Sequence, residues 1–152
     1  MNNQYLIIEF ICSYILTAGV SYYLYVPKNS ISKVGFIGAG SWCIYKILTG
    51  LNINSIISTF LATCFISIMS EILARKFKKA STVYLLPSIL PLVPGVGLYN
   101  TMMFFVQKDI EQGLQLGINT FMLAIAMASG ILVSSSFVKM TKRIKDKVKS
   151  TY

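Results

Sequence analysis

The sequence predicts an all-α membrane protein of five transmembrane helices, the fourth broken by a Pro/Gly motif. Composition is the first observation behind that expectation. Of 152 residues 55% are apolar and only 12% charged, with a mean hydropathy of +0.65, where a soluble domain carries about 25% charged residues. The second is the placement of charge. The net charge of +9 sits in the gaps between apolar runs, the pattern of cytoplasmic loops rather than of a nucleic-acid-binding stripe, so no nucleic-acid partner is expected. The third is the stretch Pro87–Asn100, PSILPLVPGVGLYN, which is too rich in helix breakers to be a regular helix and too apolar at its flanks to be a loop.

The expected spans cover about residues 5–26, 34–51, 55–74, 83–106 and 114–138, in a single domain over 1–152 with a basic cytoplasmic tail at 139–152. A helix of ~20 residues crosses a hydrocarbon core of ~30 Å. The first run lacks a basic n-region, is too long for a leader and is followed by no A-x-A site, so it reads as a span rather than a signal peptide. It ends at Pro27-Lys28-Asn29-Ser30, a turn signal. The second run is short, opens with Gly35, Gly38, Ala39 and Gly40, and contains Lys46. Charge decides that it crosses. With five spans, twelve of the fourteen basic residues fall on one side of the membrane and Lys108 alone falls in the loops of the other. Without that crossing, the cluster Arg75–Lys79 and the tail would move outside, against the positive-inside bias. The N-terminus is therefore expected outside and the C-terminus in the cytoplasm.

The fourth span organises the rest. Pro87, Pro91 and Pro94 each lack an N–H and clash with the carbonyl four residues back, freeing the carbonyls of Val83, Pro87 and Leu90. Leu86, Leu90 and Val93, each preceding a proline, are pushed out of the helical region. Gly95 and Gly97 follow. A kinked structural helix is one account, since neighbours often repair a membrane helix at proline. Three prolines and Gly-x-Gly favour a true break, and irregular backbone at membrane depth survives only where protein or a water-filled cavity satisfies it. Transporters place substrate sites at such breaks.

Ionisable groups inside spans are costly and point to function. Glu9 and Lys46 lie at matching depths, ~6–8 Å below the outer surface at 1.5 Å per residue, where they either form an intramembrane ion pair or snorkel separately. Glu71 has Arg75 as its i+4 neighbour at the cytoplasmic boundary. Asn100 and Asn119 either contact substrate or bond a neighbouring helix. Gly35 with Ala39, and Ala126, Gly130 and Ser134 with Ala124 and Ala128, mark close internal or partner interfaces. Cys12, Cys43 and Cys64 are widely spaced in apolar runs and there is no histidine, so neither a metal site nor a cofactor is expected, and no nucleophile–base pair supports an enzyme. The tail KMTKRIKDKVKSTY suits anionic lipid headgroups.

The run from Leu73 to Asp109 resembles the signature of the threonine/serine exporter family, and more narrowly the small subunit of its two-component form, which is similar to the C-terminal membrane half of fused exporters. The resemblance is carried by Pro91, Pro94, Gly95 and Tyr99, a P-x-x-P-G-x-x-x-Y pattern after a basic loop. Asn100 departs from the aromatic residue expected after that tyrosine. The resemblance implies a bacterial cytoplasmic-membrane exporter of small carboxylate metabolites (threonine/serine-type amino acids or dicarboxylates), with a larger membrane subunit supplying a second half. On that reading Pro87, Pro91, Pro94, Gly95, Gly97, Tyr99, Asn100 and Asn119 line the substrate path. A helix restarting after Gly95 or Gly97 would offer bare N–H groups and a positive dipole end to a carboxylate. The alternative is a non-transporting accessory or holin-like membrane protein.

Overall fold

The computed structural model describes residues 3–149, with side chains over 6–138, 140 and 141. Six α-helices and one 3₁₀ turn make up the described residues: α1 (Asn3–Tyr23), α2 (Lys28–Gly50), α3 (Ser55–Phe77), α4 (Thr82–Ile89), the 3₁₀ turn Leu90–Leu92, α5 (Gly95–Val106) and α6 (Ile110–Lys149). The α1, α3 and α6 helices each contain a stretch long and apolar enough to cross a membrane, and α4 with α5 forms a fourth such unit, bent by 55°. The α2 helix is as long as α3, at 23 residues, but its glycines, serines and lysines keep it below the same apolarity.

Small residues and hydroxyls hold these helices together, because lipid gives apolar side chains no incentive to leave it. The α1 and α2 helices run antiparallel at close range. A Cβ at Gly38 would collide with the Thr17 side chain, and one at Gly35 would lie 2.7 Å from the Tyr14 ring. Thr17 and Ser21 turn their hydroxyls back onto the carbonyls of Ser13 and Thr17, both at 2.7 Å, so no donor is left unsatisfied where the two helices touch. The α3 and α6 helices run parallel. Gly130 faces Thr63 and the Phe60 carbonyl, and the Arg75 guanidinium donates to the Val138 carbonyl at 2.9 Å. Of the small residues read as interfaces, Gly35, Ala39, Ala126, Gly130 and Ser134 are buried between helices of this chain, whereas Ala124 and Ala128 stay exposed.

The apolar core lies between α2, α3, the 3₁₀ turn and α6, around Ile37, Ala62, Ile66, Leu92 and Met127. A second cluster, Val26, Val34, Ala74 and Tyr84, closes the end where α3 hands over to α4. Helix ends follow local chemistry. The Asn54 side chain caps α3 by accepting from the Ile56 N–H at 2.9 Å, and Lys78 ends it in the left-handed region at φ 51°. At its far end α6 continues as helix through Lys149, past the 138 at which the sequence reading ended the span. The basic side chains of the tail, Lys139 and Lys142 to Lys149, which the sequence reading places against anionic headgroups, lie outside the described residues, as do residues 150–152.

Candidate functional site at the helix break

The break is smaller than the sequence suggests, and one proline makes it. Pro87 lies inside α4, fully buried with Tyr84 and Ser88 on the face turned to the bundle. Pro91 is the second residue of the 3₁₀ turn, where its missing N–H costs nothing. Leu90, expected to leave the helical region ahead of Pro91, keeps φ −53°, ψ −41°, and its carbonyl is not free but accepts from the Val93 N–H at 3.2 Å. Tightening to i→i+3 bonds lets the chain pass two prolines without unwinding. Only at Val93 does the backbone extend, with ψ 125°, as the residue before a proline should. Pro94 follows at φ −75°, ψ 58° and closes an inverse γ-turn in which Gly95 N–H reaches the Val93 carbonyl at 2.7 Å.

Helix α5 therefore restarts at Gly95 with its first N–H already used. Its first i→i+4 bond is Leu98 N–H to the Pro94 carbonyl at 3.1 Å, and no side chain caps it. The N–H groups of Val96 and Gly97 are the donors left over at the positive end of the helix. They border a cleft of about 390 Å³ lined by the break from Leu90 to Gly97 and by Leu16, Trp42, Tyr45, Thr59 and Leu123. At 1.5 Å per residue the restart lies ~17 Å from the α5–α6 loop, close to the middle of a ~30 Å core.

The side chains named from sequence separate into groups. Pro91, Pro94, Gly95 and Gly97 line the cleft, and Pro87 does not. Tyr99 is 65% exposed on the outer face of α5, away from the cleft. Two residues beyond Gly97 is about 200° around a helix, so the restart that points Gly97 inward turns Tyr99 outward. Asn100 is half-buried on α5 and also lies outside the cleft lining. Asn119 borders a different hollow of about 340 Å³, with Phe104, Gln112, Gln115 and Leu116. The glycines differ in role. Nothing lies within 4 Å of a Cβ built at Gly95, whereas one at Gly97 would sit 2.6 Å from the Thr120 hydroxyl, so Gly97 sets the α5–α6 approach.

The Lys46 ammonium lies 2.8 Å from Glu9 Oε1. Trp42 donates its indole N–H to the other carboxylate oxygen at 3.1 Å, and the Lys46 ammonium stands 5.6 Å from the Trp42 ring centroid. The sequence reading passed over Trp42, which joins this pair to the cleft it lines. The available signal was its spacing, since Trp42 and Lys46 are i and i+4 on one face of α2, and it is the chain's single tryptophan. Replacing Lys46 with Met should strand the carboxylate. The side chains are 37% and 32% exposed, so the loss should fall between the ~1 kcal/mol of an exposed pair and the ~3–5 kcal/mol of breaking a buried one. Thermal stability of Lys46→Met should then be lower than that of Glu9→Gln/Lys46→Met, and additive effects would show that the groups do not interact.

A sequence model of the family described as "Threonine/Serine exporter, ThrE" matches residues 9–137. An uncharacterized protein of Haemophilus influenzae is 25% identical over 114 residues, which cover 70% of this chain and 38% of that protein. The chain thus spans well under half the length of that relative. No solved structure matches it significantly. The family match takes in α2 to α5 whole, most of α1 and α6 up to Phe137, and with them the break, the cleft and the Glu9–Lys46–Trp42 cluster. On that coverage this apolar chain, helical over its described residues, belongs to the threonine/serine exporter family, which supports a membrane exporter-type role.

Proposed function

We propose that this chain is one membrane subunit of a heteromeric secondary exporter of small carboxylate metabolites, either threonine/serine-type amino acids or dicarboxylates. The observation that carries the proposal is the pair of uncapped N–H groups on Val96 and Gly97, two residues that line a mid-depth cleft. Such a helix end attracts a carboxylate without placing a fixed positive charge in its way, so substrate binds and leaves. The surrounding cleft is largely apolar, which strengthens that attraction. A larger subunit of the same family would supply the remainder. The chain's short coverage of its longer relative supports this, as does α5, which packs on α6 and leaves Tyr99, Met102 and Val106 exposed on its other face.

Five crossings complete the proposal, set in a bacterial cytoplasmic membrane with the N-terminus outside and the C-terminus, with its basic tail against anionic headgroups, in the cytoplasm. The α2 helix serves as the second crossing. It has the length, it runs antiparallel to α1, and its polar residues Ser30 and Ser41 are turned inward. The test is efflux of threonine, serine and succinate from loaded cells carrying the chain together with its larger subunit. Export of at least one above the level of cells lacking this chain is expected, and efflux of all three at the rate of cells lacking it would overturn the reading. In the same cells, a cysteine at Ser81 labelled by an impermeant reagent from outside would overturn the orientation.

A further inference from the structure

The hollow beside Asn119 is not part of the cleft, yet it lies on a line that leads there. Gln112, Gln115 and Asn119 border it from α6, all three exposed. The next residue at the same helical spacing is Leu123, which lines the cleft at the break. Spacings of three, four and four keep these positions on one face of a helix. At 1.5 Å per residue the file is ~16 Å long and places Asn119 ~13 Å below the start of α6. The fifth span begins at about residue 114, so Asn119 lies ~7–8 Å below the outer surface, beyond the reach of a short amide. Exposed amides facing lipid there would have no hydrogen-bond partner, which the hydrocarbon region does not tolerate. The lipid-compatible faces of the same helix are occupied by Leu114, Ile118 and Phe121, all exposed and apolar.

We infer that Gln112, Gln115 and Asn119 form the polar wall of a water-filled route joining the outer surface to the cleft at the helix break, by which a small hydrated carboxylate leaves. The inference rests on the exporter reading and its orientation. Its chemistry is suited to passage rather than capture. An amide donates and accepts but carries no charge, so it exchanges hydrogen bonds with water, carboxylate or ammonium groups without trapping them, as conduction requires. Phe104 of α5 forms the opposite wall.

Accessibility tests this without relying on transport. With Cys12, Cys43 and Cys64 replaced by alanine, single cysteines are placed at Gln112, Gln115 and Asn119, and at Leu114, Ile118 and Phe121. A charged, membrane-impermeant thiol reagent is added outside intact cells containing the assembled exporter. Reaction at the first three positions should be at least tenfold faster than at the second three, because a thiol ionises and reacts only where water reaches it. Equal reactivity across both sets, or protection of Asn119→Cys, would overturn the route. Asn119→Leu should assemble normally and export severalfold more slowly, and wild-type export by that variant would also overturn it. If the labelling pattern fails while disruption of the break still abolishes export, the route falls and the exporter reading stands. The reverse result removes the exporter reading and leaves a water-filled hollow.

Discussion

Replacing Pro91, Pro94 and Gly95 together with alanine should produce a protein that inserts, assembles and does not export. The reason is local. In a continuous helix the Val96 N–H would bond the Leu92 carbonyl and the Gly97 N–H the Val93 carbonyl, as i→i+4 geometry dictates. Those two donors are left unbonded at the break, on residues that line the cleft. Alanine restores an N–H at both prolines and lowers the helical cost, by up to ~3 kcal/mol per proline and ~1 kcal/mol for the glycine. It meets no steric obstacle at Gly95, where a Cβ would have nothing within 4 Å. Expression and association with the proposed larger subunit should therefore persist while efflux falls to background. A triple variant that assembles and exports at the wild-type rate would reduce the break to an ordinary bend. Tyr99→Phe, by contrast, should leave export unchanged, since that side chain points away from the cleft.

Gly130→Leu should be the most destabilising single change in the bundle. At Gly130 even a Cβ would lie 2.9 Å from the Phe60 carbonyl oxygen and closer still to the Thr63 hydroxyl. The carbonyl belongs to the α3 backbone and cannot rotate aside, so α3 and α6 must separate. Overpacking of one or a few methylenes costs ~1–3 kcal/mol, and that range is expected for Gly130→Ala, with Leu beyond it. Thermal unfolding in detergent, followed by intrinsic fluorescence, would measure both. Gly19→Ala is the control, because nothing lies within 4 Å of its Cβ and helix propensity should make it neutral or stabilising by ~0.5–1 kcal/mol. Equal unfolding temperatures for Gly130→Ala and Gly19→Ala would refute the packing account.

Hydropathy, charge placement and proline spacing determined by themselves that the chain is helical and membrane-embedded and that its fourth apolar run cannot be one straight helix. These are properties of composition and of neighbours along the chain, and backbone chemistry acts at that range. The matching depths of Glu9 and Lys46 were also legible, since counting residues along a helix measures depth. Which proline breaks the helix was not. All three lack the same N–H, and only packing of α4 and the 3₁₀ turn against α1, α2 and α3 holds Pro87 and Pro91 in helical turns and leaves the extension to Val93. Nor could spacing alone send Tyr99 outward and draw in Trp42 and Leu123. A side chain's direction depends on the rotation at which α5 restarts and on which face of α6 it meets, and that rotation is set by Gly97 against Thr120 and Thr101 against Gly117, contacts between residues far apart in the chain.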